Sequence, residues 1–321
     1  MSRITAIASY LPDQILSNKE LSLRFASWSA EKIYSKTGIL ERRIAADHET
    51  AGDLAVKAAQ KLVNQNQIDV KQIDFLILVT QTPDQALPST SCFIHQRLGL
   101  QESCGTIDIN QGCSGYIYGL SVADGLISSG TACTVLLLTA DTYSKLIDPS
   151  DQSVATLFGD GACASLIQRD LDEKQRCIGP TQFGTDGRGD KFLCCNFAGW
   201  RIPPSQQTPL RMDGSAVLSF TLSVIPRCLN TYMKDSNLHF SDYDHVVFHQ
   251  ANKFLLQKLY SKIGVEDKGI ISLERTGNTV SSSIPFVLEE ILNLKASKYP
   301  RRILLAGFGV GFSWGFTTIL L

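Results

Sequence analysis

Two strand-like apolar runs occur twice in this chain, in the same order, and that repetition restricts the fold more than any other feature. Ile73-Asp-Phe-Leu-Ile-Leu-Val-Thr-Gln81 resembles Tyr243-Asp-His-Val-Val-Phe-His-Gln250. Leu136-Leu-Leu-Thr-Ala140, followed by Phe158-Gly-Asp-Gly-Ala162, resembles Ile303-Leu-Leu-Ala-Gly307, followed by Phe308-Gly-Val-Gly311. Runs as apolar as Phe75 to Thr80 and Thr134 to Thr139 belong in parallel sheets covered on both faces. Each repeat reads as a β/α unit. Shared order, more than any single strand, favours duplication over chance similarity, and 321 residues suffice for two packed halves. The expected halves are 1–172 and 173–321.

Between the strands lie helices with clear signals. Ser17-x-x-Glu20 resembles a capping box, and Ser29 to Ser35 forms a short helix closed by Gly38. Thr50 to Asn66 carries Leu54, Ala55, Ala58, Ala59 and Leu62 on one side. Ser91 to Leu98, Asn252 to Ile263 and Ser283 to Leu294 follow, and Asp213 caps a helix reaching about Met233, with Pro226 inside it. Further strands are expected at Ile4 to Leu11, Ala162 to Ile167, Asp244 to Phe248, Ile303 to Ala306 and Phe312 to Leu320. Cys177 to Leu210, rich in Gly, Pro and polar residues, reads as an irregular connection partly covering a site.

A net charge of −1 gives no basic field for nucleic acid. No apolar run approaches the roughly 18 residues that span a bilayer, and Met1 to Thr5 opens no signal peptide. Nine scattered cysteines with no Cys-x-x-Cys fit reduced thiols in the cytoplasm rather than a metal site.

One stretch carries reactive chemistry. A short strand, Thr106 to Ile109, leads through Gln111-Gly-Cys-Ser-Gly115 into Cys113 to Ser129. There Tyr116, Gly119, Leu120, Ala123, Leu126 and Ile127 recur at helical spacing, Asp124 is the sole charge, and Gly130 ends the run. Cys113 stands at or beside the first turn of a buried helix, where free N–H groups favour an anion and lower a thiol's pKa. By itself Cys113 could equally be a small core residue.

Two further stretches bear on it: Phe248-His-Gln-Ala-Asn252, where His249 leaves an apolar strand, and Gly277-Asn-Thr-Val-Ser-Ser-Ser-Ile-Pro285. Singly, these are a strand-end histidine, a turn and cap serines, Ser282 and Ser283. Together with Lys36-Thr-Gly-Ile39, Glu41-Arg42, Met212-Asp-Gly214, Ile225-Pro226 and Gly307-Phe-Gly-Val-Gly-Phe-Ser-Trp-Gly315, the chain resembles the ketoacyl-ACP synthase III branch of the thiolase-like condensing enzymes.

The resemblance implies an α/β fold of five layers, αβαβα, built from two duplicated halves and assembled as a homodimer. It implies a triad of Cys113, His249 and Asn278. Cys113 takes an acyl group from a thioester. His249 and Asn278, as neutral donors, hold the oxygen that becomes negative as a malonyl-type thioester loses carbon dioxide. A second oxyanion hole uses the backbone N–H groups of Cys113 and Val310. Val310 stands where most relatives have Gly, and valine resists positive φ. No permanent cofactor is implied; phosphopantetheine thioesters of acyl carrier protein or coenzyme A are the substrates, passing Asn252 and Phe308. Lys253, Lys258 and Lys262 would meet the carrier protein, although lysines on a solvated helix face are commoner. Leu87 matches the position that crosses the dimer to floor the acyl pocket, and as Leu it leaves room for a medium or branched chain.

The chain departs from the pattern at Lys32 and Gln152, where a Trp and an Arg of relatives stack on adenine. Trp28, one turn before Lys32, is a partial substitute. The loss points to a carrier-borne acyl group, or to CoA held by its pantetheine arm, and tilts toward a specialised pathway. Alternatives are an acyltransferase of the same fold delivering to oxygen or nitrogen, and a silent partner subunit; the intact triad argues against the second. A cysteine hydrolase fits less well, since a buried site excludes water.

Overall fold

The structure, a computed structural model, describes residues 2–25, 27–170, 178–197, 199, 201–294 and 301–321. In chain order the strands are β1 (Ser2–Tyr10), β2 (Gln14–Ser17), β3 (Glu41–Ile44), β4 (Phe75–Val79), β5 (Gly105–Ile109), β6 (Thr134–Asp141), β7 (Gly161–Arg169), β8 (Ile178–Thr185), β9 (Leu193–Cys194), β10 (Arg211–Met212), β11 (His245–Phe248), β12 (Arg302–Gly309) and β13 (Ser313–Leu320). The helices are α1 (Asn18–Arg24), α2 (Ala30–Thr37), α3 (Ala51–Asn66), α4 (Thr90–Leu98), α5 (Gly115–Ser128), α6 (Gln152–Ala155), α7 (Gly214–Ser236), α8 (Lys253–Ile263) and α9 (Ser283–Asn293).

The two main sheets run β1-β7-β6-β4-β5 and β11-β12-β13-β8. Their wiring repeats. β4 pairs in parallel with β6, and β11 with β12. β6 and β12 then fold back against antiparallel β7 and β13. Outside these lie antiparallel β1 and β8. The runs 73–81 and 243–250, and 136–140 and 303–307, therefore occupy equivalent places, whereas Phe158 to Ala162 leads into β7 and Phe308 and Gly309 end β12. The expected boundary between 172 and 173 lies outside the described residues.

Five layers follow from which faces bury what. Ile77, Val79, Val135 and Leu137 of the first sheet face inward with Val247, Ile303 and Leu305 of the second, and α5 and α9 lie between them. The opposite face of the first sheet, with Leu76, Leu78, Leu136 and Leu138, packs on α3 and α4. That of the second, with Val246, Phe248, Leu304 and Ala306, packs on α7 and α8. Alternate residues of one strand thus enter different cores, which is why these strands are apolar throughout. In α5, Cβ atoms added at Gly115 and Gly119 would fall 2.4 Å from Val79 Cγ1 and 2.6 Å from Leu137 Cδ1. Hydrogen at these positions lets the helix lie directly on the sheet.

Local signals hold at most helix ends. Ser17 with Glu20 and Thr50 with Asp53 form capping boxes, Gly38 closes α2 in the left-handed region, and Asp213 accepts the Ala216 N–H at the start of α7. Two expectations fail. Ile178–Thr185 is a full strand paired to β13 rather than part of an irregular connection; as an edge strand it tolerates Pro180 and its glycines, which made it look like loop. Cys177 itself lies outside the described residues. Ser282 and Ser283 do not cap α9: Ser282 stands at the cap position with no side-chain cap bond, and Ser283 is the first helical residue.

Burial in the central layer predicts large losses on truncation. Leu120→Ala, at a fully buried site, is expected to lower unfolding free energy in urea by about 2–5 kcal/mol. Leu23→Ala, at an exposed site, is expected to change it by about 0.5 kcal/mol or less.

Candidate active site

The site forms where the parallel strands end, the usual place for ligands in open α/β sheets. β5 ends at Ile109 and Cys113 follows. β11 ends at Phe248 and His249 follows, its N–H bonded to Ala306 O at 2.8 Å. β12 ends at Gly309, and Val310 follows. Asn278 arrives on the turn after Gly277, whose φ of +66° favours glycine. That turn is pinned to the first half of the chain: Asn278 N–H bonds Leu157 O at 2.9 Å, and Gly159 N–H bonds Asn278 O at 3.0 Å.

Cys113, His249 and Asn278 all line one cavity of about 190 Å³. They are 5%, 2% and 4% exposed. Phe308 and Asn252 line it too, as do Leu193, from the segment expected to cover the site, and Met212, just beyond that segment. The cavity is mostly apolar, so polar groups inside it act in little water.

The hydrogen bonds around the two nitrogen donors fix their directions. Asn278 Oδ1 accepts the Val280 N–H at 2.9 Å, which leaves the carboxamide NH2 for the cavity. Val280 itself adopts φ +53°, a costly conformation for a β-branched residue. Ser283 Oγ lies 2.7 Å from His249 Nδ1 and accepts the Gln250 N–H at 3.3 Å. A Ser283 hydroxyl that gives its proton to Nδ1 leaves the neutral ring's own proton on Nε2, and that is the tautomer we assign. Burial lowers the His249 pKa to about 3, against an opposing pull from the Val280 backbone, so the ring is uncharged at neutral pH.

The Cys113 thiol behaves differently from the expectation based on its helix. Burial pushes its pKa up to about 12. The backbone N–H groups of Val310 and of Cys113 itself act on the sulfur in the opposite sense, and the carboxylate of Asp141 adds to the upward push. Cys113 also precedes the helix proper, which starts at Gly115 with Ser114 as cap. Desolvation here outweighs the helix end, and the resting group is a thiol. Val310 meets the sulfur without strain: it is not among the residues with positive φ, and Gly311 takes φ +132° instead. Gly309 is required for the seat, since a Cβ there would fall 2.7 Å from both Cys113 Cβ and Sγ.

Several supporting residues were not read from the sequence as part of the site. Asp141, at the end of β6, accepts the N–H of Gln81 at 2.8 Å, the N–H of Ser281 at 3.2 Å and the Ser281 hydroxyl. Burial raises its pKa to about 7 against these three donors. Ser282 Oγ bonds Thr139 Oγ1 at 2.9 Å. Lys36 is an exposed residue lining the cavity, and its place was visible only as part of a motif.

Other expected residues lie apart from the cavity. Leu87 is 84% exposed and does not line it. Lys253 packs beside Gly38, Lys258 Nζ lies 4.8 Å from the Phe254 ring, and Lys262 is exposed in the last turn of α8. Phe254 does line the cavity, so of these lysines Lys258 reaches a residue at its mouth. Lys32 Nζ bonds Ser27 O at 3.0 Å and sits 5.7 Å from the Trp28 ring. Gln152 accepts from Ser27 Oγ at 3.4 Å. Trp28 packs on the small core of Leu21, Phe25 and Ile33. Among the described residues no cluster of His, Cys, Asp or Glu is placed to hold a metal ion, and no helix is long and apolar enough to cross a membrane.

Residues 107–187 match the family described as 3-oxoacyl-[acyl-carrier-protein (ACP)] synthase III, and residues 233–320 match its C-terminal part. The chain belongs to the 3-oxoacyl-[acyl-carrier-protein] synthase III family. A β-ketoacyl-[acyl-carrier-protein] synthase III from Lactococcus lactis subsp. lactis is 34% identical, the alignment covering 100% of this chain and 99% of that protein. A crystal structure of a 3-oxoacyl-(acyl-carrier-protein) synthase III superposes with a TM-score of 0.95 at 43% identity, covering 100% and 99% of the two chains. The priming β-ketosynthase of the R1128 polyketide pathway is also similar, with a TM-score of 0.91 at 30% identity over 100% and 96%. The thiolase-like, duplicated architecture expected from the sequence is thus that of this family's structures.

The raised thiol pKa has a direct consequence. Alkylation of Cys113 by iodoacetamide, followed by peptide mass, is expected to accelerate about tenfold per pH unit from pH 7 to about pH 10. A rate already level near pH 7 would show that the helix end prevails over burial.

Proposed function

We propose that the chain is a decarboxylating condensing enzyme that joins an acyl group held on Cys113 to the two-carbon unit of a malonyl-type thioester. The observation that supports this most is the convergence of one thiol and two differently placed donor pairs in a single buried cavity. Backbone N–H groups of Cys113 and Val310 point at the sulfur. His249 and Asn278 line the same cavity, and the bonds at His249 Nδ1 and Asn278 Oδ1 leave Nε2 and the carboxamide NH2 for it.

The chemistry closes on these groups. Cys113 Sγ loses its proton and adds to the acyl thioester carbonyl. The Cys113 and Val310 N–H groups hold the resulting oxyanion. The carrier thiolate departs, taking the proton that Cys113 gave up, and leaves the acyl group on sulfur. A malonyl thioester then enters. Its bond to the carboxylate breaks, carbon dioxide leaves, and the electron pair passes to an enolate whose oxygen meets His249 Nε2–H and Asn278 Nδ2–H. The enolate carbon attacks the Cys113 thioester, the C–S bond breaks, and the sulfur takes one proton from solvent. The product is a 3-ketoacyl thioester.

An imidazole already neutral suits donation without proton transfer. The dry walls strengthen both donor pairs and keep water from the acyl-enzyme. Both substrates are phosphopantetheine thioesters, threading past Asn252 and Phe308. A carrier-bound acyl donor fits the mouth better than free CoA, because Lys32 and Gln152 present no aromatic face for adenine. Lys36, which lines the cavity, and Lys258, beside the Phe254 ring, are the cations that would meet an acidic carrier protein. A homodimer is supported by the edge strand β5, with Ile107 42% exposed, and by the uncovered Leu87.

Three variants separate the steps. Cys113→Ser is expected to abolish the stable acyl adduct seen by intact mass. His249→Ala and Asn278→Ala are expected to keep loading but lose carbon dioxide release from malonyl-carrier by about 10²–10³-fold. Loading and transfer to an oxygen or nitrogen acceptor with no carbon dioxide would instead favour the acyltransferase reading.

A further inference from the structure

The two backbone donors at the Cys113 sulfur come from opposite halves of the chain. Cys113 precedes α5, and Val310 follows the end of β12. No covalent path of a few bonds sets their separation, yet an oxyanion held by both needs it fixed to within about 0.5 Å. Close backbone contact brings them together. At Gly307 an added Cβ would fall 2.7 Å from Ser114 Cα and 2.9 Å from Cys113 O, and at Gly112 one would fall 3.0 Å from Val310 Cγ1. Two hydroxyls then join the segments. Ser313 opens β13 opposite Gly309 in the ladder, and its Oγ donates to Val310 O at 2.8 Å. Ser114 stands at the cap position of α5 but makes no cap bond; its Oγ lies 2.8 Å from Ser313 Oγ instead. A carbonyl can only accept, so the Ser313 proton goes to Val310 and the Ser114 proton to Ser313. Gln111 Oε1 lies 3.4 Å from both oxygens, a longer and weaker contact. Both serines are buried.

We infer that the Ser114–Ser313 hydroxyl pair sets the spacing of the Cys113 and Val310 N–H groups, and so positions the oxyanion hole that serves acyl loading. The inference rests on the condensing-enzyme reading and adds two positioning residues to its first step. Val310 is held on one side through the ladder partner Gly309 and on the other through its own carbonyl. Without the Ser313 hydroxyl the buried carbonyl loses its donor, and the turn is free to shift toward another. The Val310 N–H survives in such a variant but loses its brace, so the loss is smaller than the 10²–10³-fold or so of a deleted donor. The other donor pair, His249 and Asn278, is oriented by Ser283 and Val280 and does not depend on this link.

The test compares two rates in the full-length protein. Loading is read as mass gain at Cys113 from acetyl- or octanoyl-carrier thioester, whichever serves the wild type faster. Carbon dioxide release from malonyl-carrier by the unloaded enzyme reads His249 and Asn278 alone. Ser313→Ala is expected to slow loading by about tenfold and to leave release within about twofold of wild type. Ser114→Ala is expected to slow loading by about threefold, and the double variant to load no more slowly than Ser313→Ala, because Ser114 acts through Ser313. Where Ser313→Ala does not fold, the loading-to-release ratio of Ser114→Ala is read in its place. Equal falls in loading and release, unchanged loading in the folded variants, or losses that simply multiply in the double variant overturn the positioning role. A wild type that loads from neither thioester would instead sink the condensing reading.

Discussion

A single serine-rich turn ties the two halves of the molecule into one site. Ser281 bonds the buried carboxylate of Asp141, Ser282 bonds Thr139, and Ser283 sets the imidazole of His249. The same turn carries Asn278 and the strained Val280. One short segment of the second half thereby fixes itself to a strand of the first and orients both side-chain donors. Because every bond is buried, losing one leaves a polar partner unsatisfied, at a cost of about 1–3 kcal/mol. The turn tolerates an unfavourable φ because so many bonds determine it.

Desolvation sets the charges of the site. It lowers the imidazole and raises the thiol, so the resting pair is neutral on both sides. A site of this kind has no charge to be quenched by its own walls. It reserves its directed N–H groups for the negative charge that appears on substrate oxygen during reaction. The arrangement favours a reaction that generates an enolate over one that needs a charged base at rest.

The buried strands were legible because strands covered on both faces must be apolar throughout, and the doubled sequence runs fall on matched strands of the two sheets. The caps of α1 and α7 were legible because a capping bond is local. β8 was not, since an edge strand may hold Pro180 and Gly184 and then looks like loop. Ser282 and Ser283 were misread as caps because their partners, Thr139 and His249, are distant in sequence. The thiol was misjudged for a related reason: the helix beside Cys113 is a local feature, whereas the burial that outweighs it comes from both halves.

The central claim is a neutral His249 with its proton on Nε2, ready to donate. Nitrogen NMR of the imidazole, from about pH 5 to about pH 8, tests it most directly. The structure predicts a single neutral Nε2–H tautomer with no titration across that range, its pKa lying near 3. A ring that titrates close to the ordinary histidine value of about 6.5, or one that carries its proton on Nδ1, would contradict it.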